Sequence, residues 1–310
     1  MDETRDLSPV DDETSGSADS TASPGSSKPP AGLYLVATPI GNMGDITLRA
    51  LDLLRSADAI ACEDSRVTTK LLQRYDIRAR LIAYHDHNGE AARPDILRRL
   101  AGGQVVALVS DAGTPLISDP GYKLVRAVVE AGHRVTALPG PSSVLAALSL
   151  AGLPTDRFLF AGFLPPRSEA RRKALGELKT VPATLVFLEG VSRLPEALAD
   201  MADMLGAGRG AAVARELTKM FETVRRGTLA ELAALYAAEG PPKGEVVVVV
   251  GPPADEAMAE GDLDAALTAA MAHSSLREAA NAVAAATGLP RRQVYARALA
   301  LKAEGGGDAA

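Results

Sequence analysis

The chain has 310 residues, 47% hydrophobic and 23% charged, with a mean hydropathy of +0.06, which is a soluble composition with material for two packed cores. A single cysteine, Cys62, excludes an internal disulfide, no Cys/His spacing matches a structural zinc site, and no apolar run approaches the roughly 18 to 20 residues of a membrane span. The acidic start differs from the basic, then apolar, start of a signal peptide, so a reducing, cytoplasmic setting is expected, with no bound metal and no membrane partner.

The net charge of -6 is uneven: residues 1–31 hold seven acids and two bases, and the remainder is nearly neutral. Those first 31 residues are rich in Ser, Thr, Asp and Pro without apolar periodicity. They bury too little surface to offset chain entropy and read as a disordered acidic tail. From residue 33, short apolar runs alternate with amphipathic stretches. The run 33–37 predicts a strand, 46–55 a crossover helix capped by Asp45 or Thr47, and 57–62 a second strand, with further strands at 105–109 and 135–138. Buried parallel strands joined by helices have this texture.

Gly152, Pro154 and Asp156 interrupt it, and a second series follows at 158–163, 184–188, 211–214 and 245–250. The expectation is therefore an α/β protein with domains at 32–152 and 153–254 and a helical extension at 255–310. Within that extension, 274–302 reads as a helix-turn-helix-like hairpin around Gly288 and Pro290. Arg277, Arg291, Arg292, Arg297 and Lys302 against Glu278 make it basic, which suits either a solvated cap or nucleic-acid contact.

Several common signatures are missing: G-x-x-x-x-G-K-[ST], G-x-G-x-x-G after the first strand, H-E-x-x-H and G-x-S-x-G. What remains are three Gly/Pro-rich loops directly after strands, where open α/β sheets place their ligands: Thr38–Asn42, Ser110–Gly121 and Leu138–Ser143. Their small residues admit close backbone approach, and a helix starting near Ser142 directs N–H groups toward an anionic group. Glu63-Asp64-Ser65-Arg66 follows the second strand on the same edge. One of its carboxylates could accept a proton, or the four residues could simply cap a helix with an exposed ion pair. In Tyr84–Asn88, His85 and His87 share a face if the segment is extended, and Cys62 reads as packed inside its strand. Arg167, Arg171, Arg172 and Lys173 follow a proline-bearing loop and suit either a phosphate backbone or a solvated helix face.

Seven segments in order carry a family resemblance: LYLVATPIGNMGDITLR at 33–49, ACEDSR at 61–66, YHDHN at 84–88, ALVSDAGTPLISDPGY at 107–122, LPGPSS at 138–143, GLPTDRFLFAGF at 152–163 and ARELTK at 214–219. They resemble the bacterial small-subunit ribosomal RNA cytidine 2'-O-methyltransferases of the tetrapyrrole methylase-like superfamily, the class III methyltransferases. The resemblance implies two α/β domains with S-adenosyl-L-methionine in the cleft between them, a homodimer, and as substrate the ribose 2'-hydroxyl of a cytidine in the decoding centre of 16S rRNA or the 30S subunit. By the same resemblance, Pro39, Ile40, Asp111, Gly113, Thr114, Ile117, Ser142, Ser143, Leu188, Ala214 and Glu216 bind the cofactor.

Methyl transfer from a sulfonium is an in-line displacement that depends on positioning and on loss of the hydroxyl proton. Glu63 or Asp64 is the expected base and His85 the rival, with Arg66 or Lys219 as phosphate or oxyanion partners. Arg167, Arg171, Arg172, Lys219, Arg291 and Arg292 are the expected RNA contacts. The chain departs from the family at Gly190-Val191-Ser192, where relatives show Ser-Pro-His. The alternatives are a porphyrinoid C-methyltransferase, which tends to show G-x-G-D-P where this chain has Asp111–Pro115, and a non-catalytic RNA-binding protein, which leaves three crevice loops unexplained.

Overall fold

The computed structural model describes residues 28–85, 88–253, 260–287 and 291–305. Its first sheet comprises β1 (Gly32–Val36), β2 (Ala59–Cys62), β3 (Leu81–Ala83), β4 (Val105–Val109) and β5 (Val135–Leu138), all parallel, in the order β3-β2-β4-β1-β5. The crossovers are α1 (Leu48–Ser56), α2 (Ser65–Arg74), α3 (Gly89–Ala101) and α4 (Tyr122–Glu130). Strand alternation assigns each face its cover. Tyr34, Val36, Ile60, Val105, Ala107 and Val109 pack with Leu51, Leu54, Leu71 and Leu72 of α1 and α2. Leu33, Ala61, Val106 and Leu108 pack with Ile96, Leu100, Leu124 and Val128 of α3 and α4. Both faces are covered, so these strands are continuous apolar runs.

Thr47 is the cap of α1, its hydroxyl accepting from the Ala50 N–H at 3.2 Å. Asp45 instead lies in a 3-10 turn at Met43–Asp45. Of the predicted tail, residues 1–27 lie outside the described residues, whereas two of the next four touch the body: Lys28 pairs with Asp58 at 2.6 Å and the Tyr34 hydroxyl donates to the Pro30 carbonyl at 2.7 Å.

After β5, α5 (Ser143–Ala151) leads to a second sheet of β6 (Phe158–Phe163), β7 (Thr184–Glu189), β8 (Gly210–Arg215), β9 (Thr223–Thr228) and β10 (Val246–Val250). Its order is β6-β7-β10-β8-β9, parallel between β6 and β7 and antiparallel elsewhere. The helices α6 (Ser168–Leu178), α7 (Leu194–Leu205) and α8 (Leu229–Glu239) cover the face carrying Leu185, Phe187, Val213 and Val248. The opposite face, with Val186, Ala212, Ala214, Val247 and Val249, is covered by α5 through Val144, Ala147, Leu148 and Ala151. A helix that follows the first sheet in sequence thus belongs to the core of the second. Three further helices, α9 (Glu260–Met271), α10 (Leu276–Thr287) and α11 (Arg291–Gly305), share a small core of Leu263, Leu267, Ala280, Val283, Val294 and Ala298. The expected two-helix hairpin is therefore the latter part of a three-helix unit, closed by Arg297 on Asp264 at 2.6 Å. Its Gly-Pro turn at 288–290 lies outside the described residues. Among the described residues no helix is long and apolar enough to cross a membrane.

The second half contains a buried charge network between α6 and α7. Arg171 of α6, its side chain 1% exposed, donates from Nε to Asp200 of α7 at 2.7 Å, and Asp200 also accepts from Ser168 and Arg172. Desolvation works against the Asp200 carboxylate, but these donors outweigh it and hold its pKa below the usual value. Asp200→Ala strands the Arg171 guanidinium in the core. A loss of about 3–5 kcal/mol is expected, read as a lower urea midpoint at neutral pH.

Candidate active site

In the first sheet, the connection from β1 runs toward β2 and that from β4 runs toward β5, in opposite directions from neighbouring strands. This is the switch point at which a crevice opens beyond the carboxyl ends of the strands. Hydrogen bonds tie the two loops together there. The Thr38 N–H donates to the Gly113 carbonyl at 2.9 Å, the Gly113 N–H to the Thr38 carbonyl at 3.0 Å, and the Thr38 hydroxyl to the Ser110 carbonyl at 3.1 Å. The Thr114 hydroxyl donates to the Pro141 carbonyl at 3.1 Å and so attaches the third loop. Gly113 adopts φ +81°, and non-glycine Leu116 and Ser118 are held at φ +75° and +62°, conformations that persist only where surrounding structure over-determines them.

The second sheet supplies the facing wall. After β8, Glu216 and Thr218 are also left-handed, at φ +51° and +66°. The Asn42 N–H reaches across to the Thr218 hydroxyl at 3.1 Å, and Gly41 lies so close to Lys219 that an added Cβ would stand 2.5 Å from its Cγ. Lys219 bridges Glu216 at 2.9 Å and Glu245 at 3.0 Å, and holds the Glu216 carboxyl below the usual range. Between the walls lies a cavity of about 230 Å³, lined among others by Pro39, Ile40, Thr68, Asp111, Lys219 and Glu245.

Of the expected cofactor residues, Pro39, Ile40 and Asp111 line this cavity directly. Gly113 and Thr114 hold the loops around it, and Glu216 positions Lys219. Ser142 caps α5, and Ser143 is that helix's first residue. Leu188 and Ala214 pack with α5 in the core beneath, while Ile117 is 43% exposed. Thr68 was not legible in the sequence because a residue inside α2 carries no local mark of a shared cavity, whereas Glu245 opens the run 245–250 and stands beside its apolar strand.

At the rim, Asp64 is the N-cap of α2. Its carboxylate accepts the Arg66 N–H at 2.8 Å and meets the Arg66 guanidinium at 2.6 Å, and that guanidinium brings its pKa down to about 2. Of the two readings left open for this motif, the cap with an exposed ion pair describes Asp64 and Arg66. A carboxylate so acidic is a weak proton acceptor at neutral pH. The Asp64 N–H donates to Asp111 at 3.0 Å, linking this rim to the β4 loop. Cys62 is buried in β2, and burial pushes its thiol up. The His85 N–H donates to the Asn88 side chain at 2.8 Å, and its carbonyl accepts from the Gly89 N–H. His87 lies outside the described residues.

The expected RNA contacts divide. Arg171 is corrected: it is buried against Asp200 and the Pro166 carbonyl and cannot reach a phosphate backbone. Arg172 is shared by Asp200 and Asp203, and Lys219 lies in the cavity wall. Arg167, Arg291 and Arg292 are exposed. At the departure from the family pattern, Val191–Arg193 forms a 3-10 turn. The buried Glu189 there accepts from the Gly190 N–H at 2.7 Å and pairs with Arg193 at 2.8 Å.

Two sheets meeting at a laced switch-point crevice define the class of protein: the family model described as Tetrapyrrole (Corrin/Porphyrin) Methylases matches residues 32–233, and the one described as RsmI C-terminal HTH domain matches 257–302. Solved structures share the fold. Diphthine synthase aligns with a TM-score of 0.56 at 20% identity over 71% of this chain and 89% of its own, and cobalt precorrin-4 methyltransferase with 0.53 at 20% over 71% and 94%. Among sequence relatives, Ribosomal RNA small subunit methyltransferase I of Mesorhizobium japonicum is 53% identical over 277 residues, covering 89% of this chain and 94% of its own. Its Escherichia coli O157:H7 namesake is 47% identical over 86% and 94%. The chain belongs to the ribosomal RNA small subunit methyltransferase I family, within the tetrapyrrole methylases, and is a methyltransferase.

Gly244, at φ +99°, lies against the Glu216 carboxylate where a Cβ would stand. Gly244→Ala must displace Glu216 from Lys219 and adopt a backbone conformation that alanine resists. A loss of about 1–3 kcal/mol is expected, measurable by urea unfolding.

Proposed function

We propose that this chain transfers a methyl group from S-adenosyl-L-methionine to the ribose 2'-hydroxyl of a cytidine in 16S rRNA, on the naked RNA or the 30S subunit. The observation that carries this reading is the crevice itself: three first-domain loops laced by Thr38, Gly113 and Thr114, closed by Lys219 from the other domain. The family's names supply the RNA, and its methyltransferase class supplies the cofactor.

The cavity residues fit that cofactor. Pro39, Ile40, Met43 and Leu71 offer apolar surface for a nucleobase, Asp111 an acceptor for hydroxyls, and Lys219 and Glu245 opposite charges for an amino-acid end. Backbone at Gly41 comes close to Lys219 because it carries no Cβ. Ile117, Ser142, Ser143, Leu188, Ala214 and Glu216 complete the proposed set, by direct contact or by shaping the loops. When bound, S-adenosylmethionine supplies an electrophilic methyl group on a positively charged sulfur.

The protein's remaining tasks are to hold a weak nucleophile in line, exclude competing water and remove a proton. Glu63 and His85 stand on the substrate side of the crevice in this reading. Asp64 and Arg66 fix the start of α2 beside Asp111. Arg167, Arg291 and Arg292 supply cations for the RNA backbone, with the C-terminal helices as its docking unit. A homodimer is part of the proposal, supported by Met220 and Phe221, which expose 89% and 66% of their surface after β8.

Incubation with labelled S-adenosylmethionine and 30S subunits lacking the modification is expected to yield labelled 2'-O-methylcytidine after nuclease digestion. Label in another nucleoside, or none despite measured cofactor binding, removes the assignment. Arg291→Glu with Arg292→Glu is expected to weaken RNA binding and to reduce the slope of log affinity against log salt by about 1 for each phosphate that is no longer neutralised, with cofactor affinity unchanged.

A further inference from the structure

A second cavity, about 470 Å³, opens on the other side of the β4 loop. Arg93 of α3 and Lys123 and Arg126 of α4 line it, so three cations face one space from two helices. The Arg93 Nε is buried with no hydrogen-bond partner among the described residues, and Arg126 meets only the exposed Glu130 among them, at 3.4 Å. His85, Glu90, Tyr122 and Asp119 complete much of the remaining wall.

Asp119 is also coupled to the cofactor crevice. Ser110 and Asp111, which line the first cavity, both act on its carboxyl. The β4 loop therefore runs from the first cavity at Ser110 and Asp111 to the second at Asp119, held at its start by the Thr38–Gly113 bridge and by the Asp64 N–H on Asp111. The strained Leu116 and Ser118 lie just before Asp119, in the part of the loop that delivers it.

We infer that the second cavity receives the target nucleotide, with Arg93, Lys123 and Arg126 on its phosphate and Asp119 accepting the ribose hydroxyl proton. This rests on the reading of the chain as a ribose methyltransferase. In the balanced step, the hydroxyl oxygen forms the bond to the methyl carbon. The carbon–sulfur bond breaks with its electron pair remaining on sulfur, and the hydroxyl proton passes to the Asp119 carboxylate. Asp64 is unsuited to that task because Arg66 occupies it. Burial raises the Asp119 pKa to about 6, with the charges of Glu63 and Asp111 adding to the rise and a hydrogen bond from Ser110 opposing it. Glu63 in this arrangement is a positioning residue that keeps its neighbour basic. Below pH about 6 Asp119 holds a proton and cannot take another, so the rate falls toward acid; above that it is ready, which matches the demand on a general base.

The test compares wild-type protein, Asp119→Asn and Arg126→Glu in single-turnover methyl transfer to 30S subunits across pH 5 to 8, with cofactor affinity measured by calorimetry. Asp119→Asn is expected to bind S-adenosylmethionine as the wild type does, to lose about 100-fold or more in rate, and to lose the acid limb of the profile. Arg126→Glu is expected to raise the RNA concentration needed for half-maximal single-turnover rate, with the limiting rate little changed. Carbon-13 NMR of the wild-type aspartates supplies a readout free of turnover, with one carboxyl titrating near pH 6 and missing from the Asp119→Asn spectrum. Retention of the rate and the acid limb in Asp119→Asn overturns the inference while leaving the methyltransferase reading intact, as does loss of cofactor binding in that variant. A wild-type protein that methylates no RNA ends the underlying reading instead.

Discussion

The pair of backbone hydrogen bonds between Thr38 and Gly113 is the constraint from which the rest of the site follows. Two strands that are adjacent in the sheet send their chains in opposite directions, and without a tie their loops would diverge over an open edge. The bridge instead continues their association for one residue pair in antiparallel sense. Gly113 permits this because φ +81° is open to glycine. Thr38 satisfies its own hydroxyl on Ser110, so a polar residue only 2% exposed carries no unmet bond. The first sheet's two central loops hang from that stitch: Pro39 and Ile40 on one strand's continuation, Asp111 and Asp119 on the other's.

Much of the fold was legible because its strands are buried on both faces. Runs such as Val105–Val109 and Val246–Val250 have nothing to alternate with, and their glycine and proline boundaries mark them well. The elements missed were those without that signature. β9 reads Thr-Val-Arg-Arg-Gly-Thr, an edge strand whose Arg225 and Arg226 are satisfied by Glu239 and by the Leu150 carbonyl, and β3 is three residues long. Direction was equally hidden: an apolar run does not reveal whether its neighbour runs with it or against it, so the mixed second sheet emerges only from the connections.

At the site, the loops could be read and the side-chain pairing could not. Glu63 and Asp64 are adjacent acids in sequence, yet Asp64 is claimed by an arginine two residues on, while Glu63 feels a carboxyl more than fifty residues away. Arg171 shows the same limit from the other side. Within a basic run it looks like its exposed neighbours, and only packing against Asp200 on another helix makes it internal. Asp119 stood in plain view within a loop already marked as ligand-facing, but its environment is assembled from β2, α3 and α4, which no single stretch of sequence displays together.

The displacement of α5 onto the second sheet has a consequence for how the molecule comes into being. During synthesis the first sheet and its four crossover helices can close over their own apolar faces while the chain is still growing. α5 cannot join them: Val144, Ala147, Leu148 and Ala151 match surface on β7, β8 and β10, the last of which emerges only near residue 250. Until then the nascent chain presents an uncovered apolar helix directly after the third ligand loop. The crevice therefore cannot take its final form before the second sheet is complete, and the chain does not divide at residue 152 into two self-sufficient pieces.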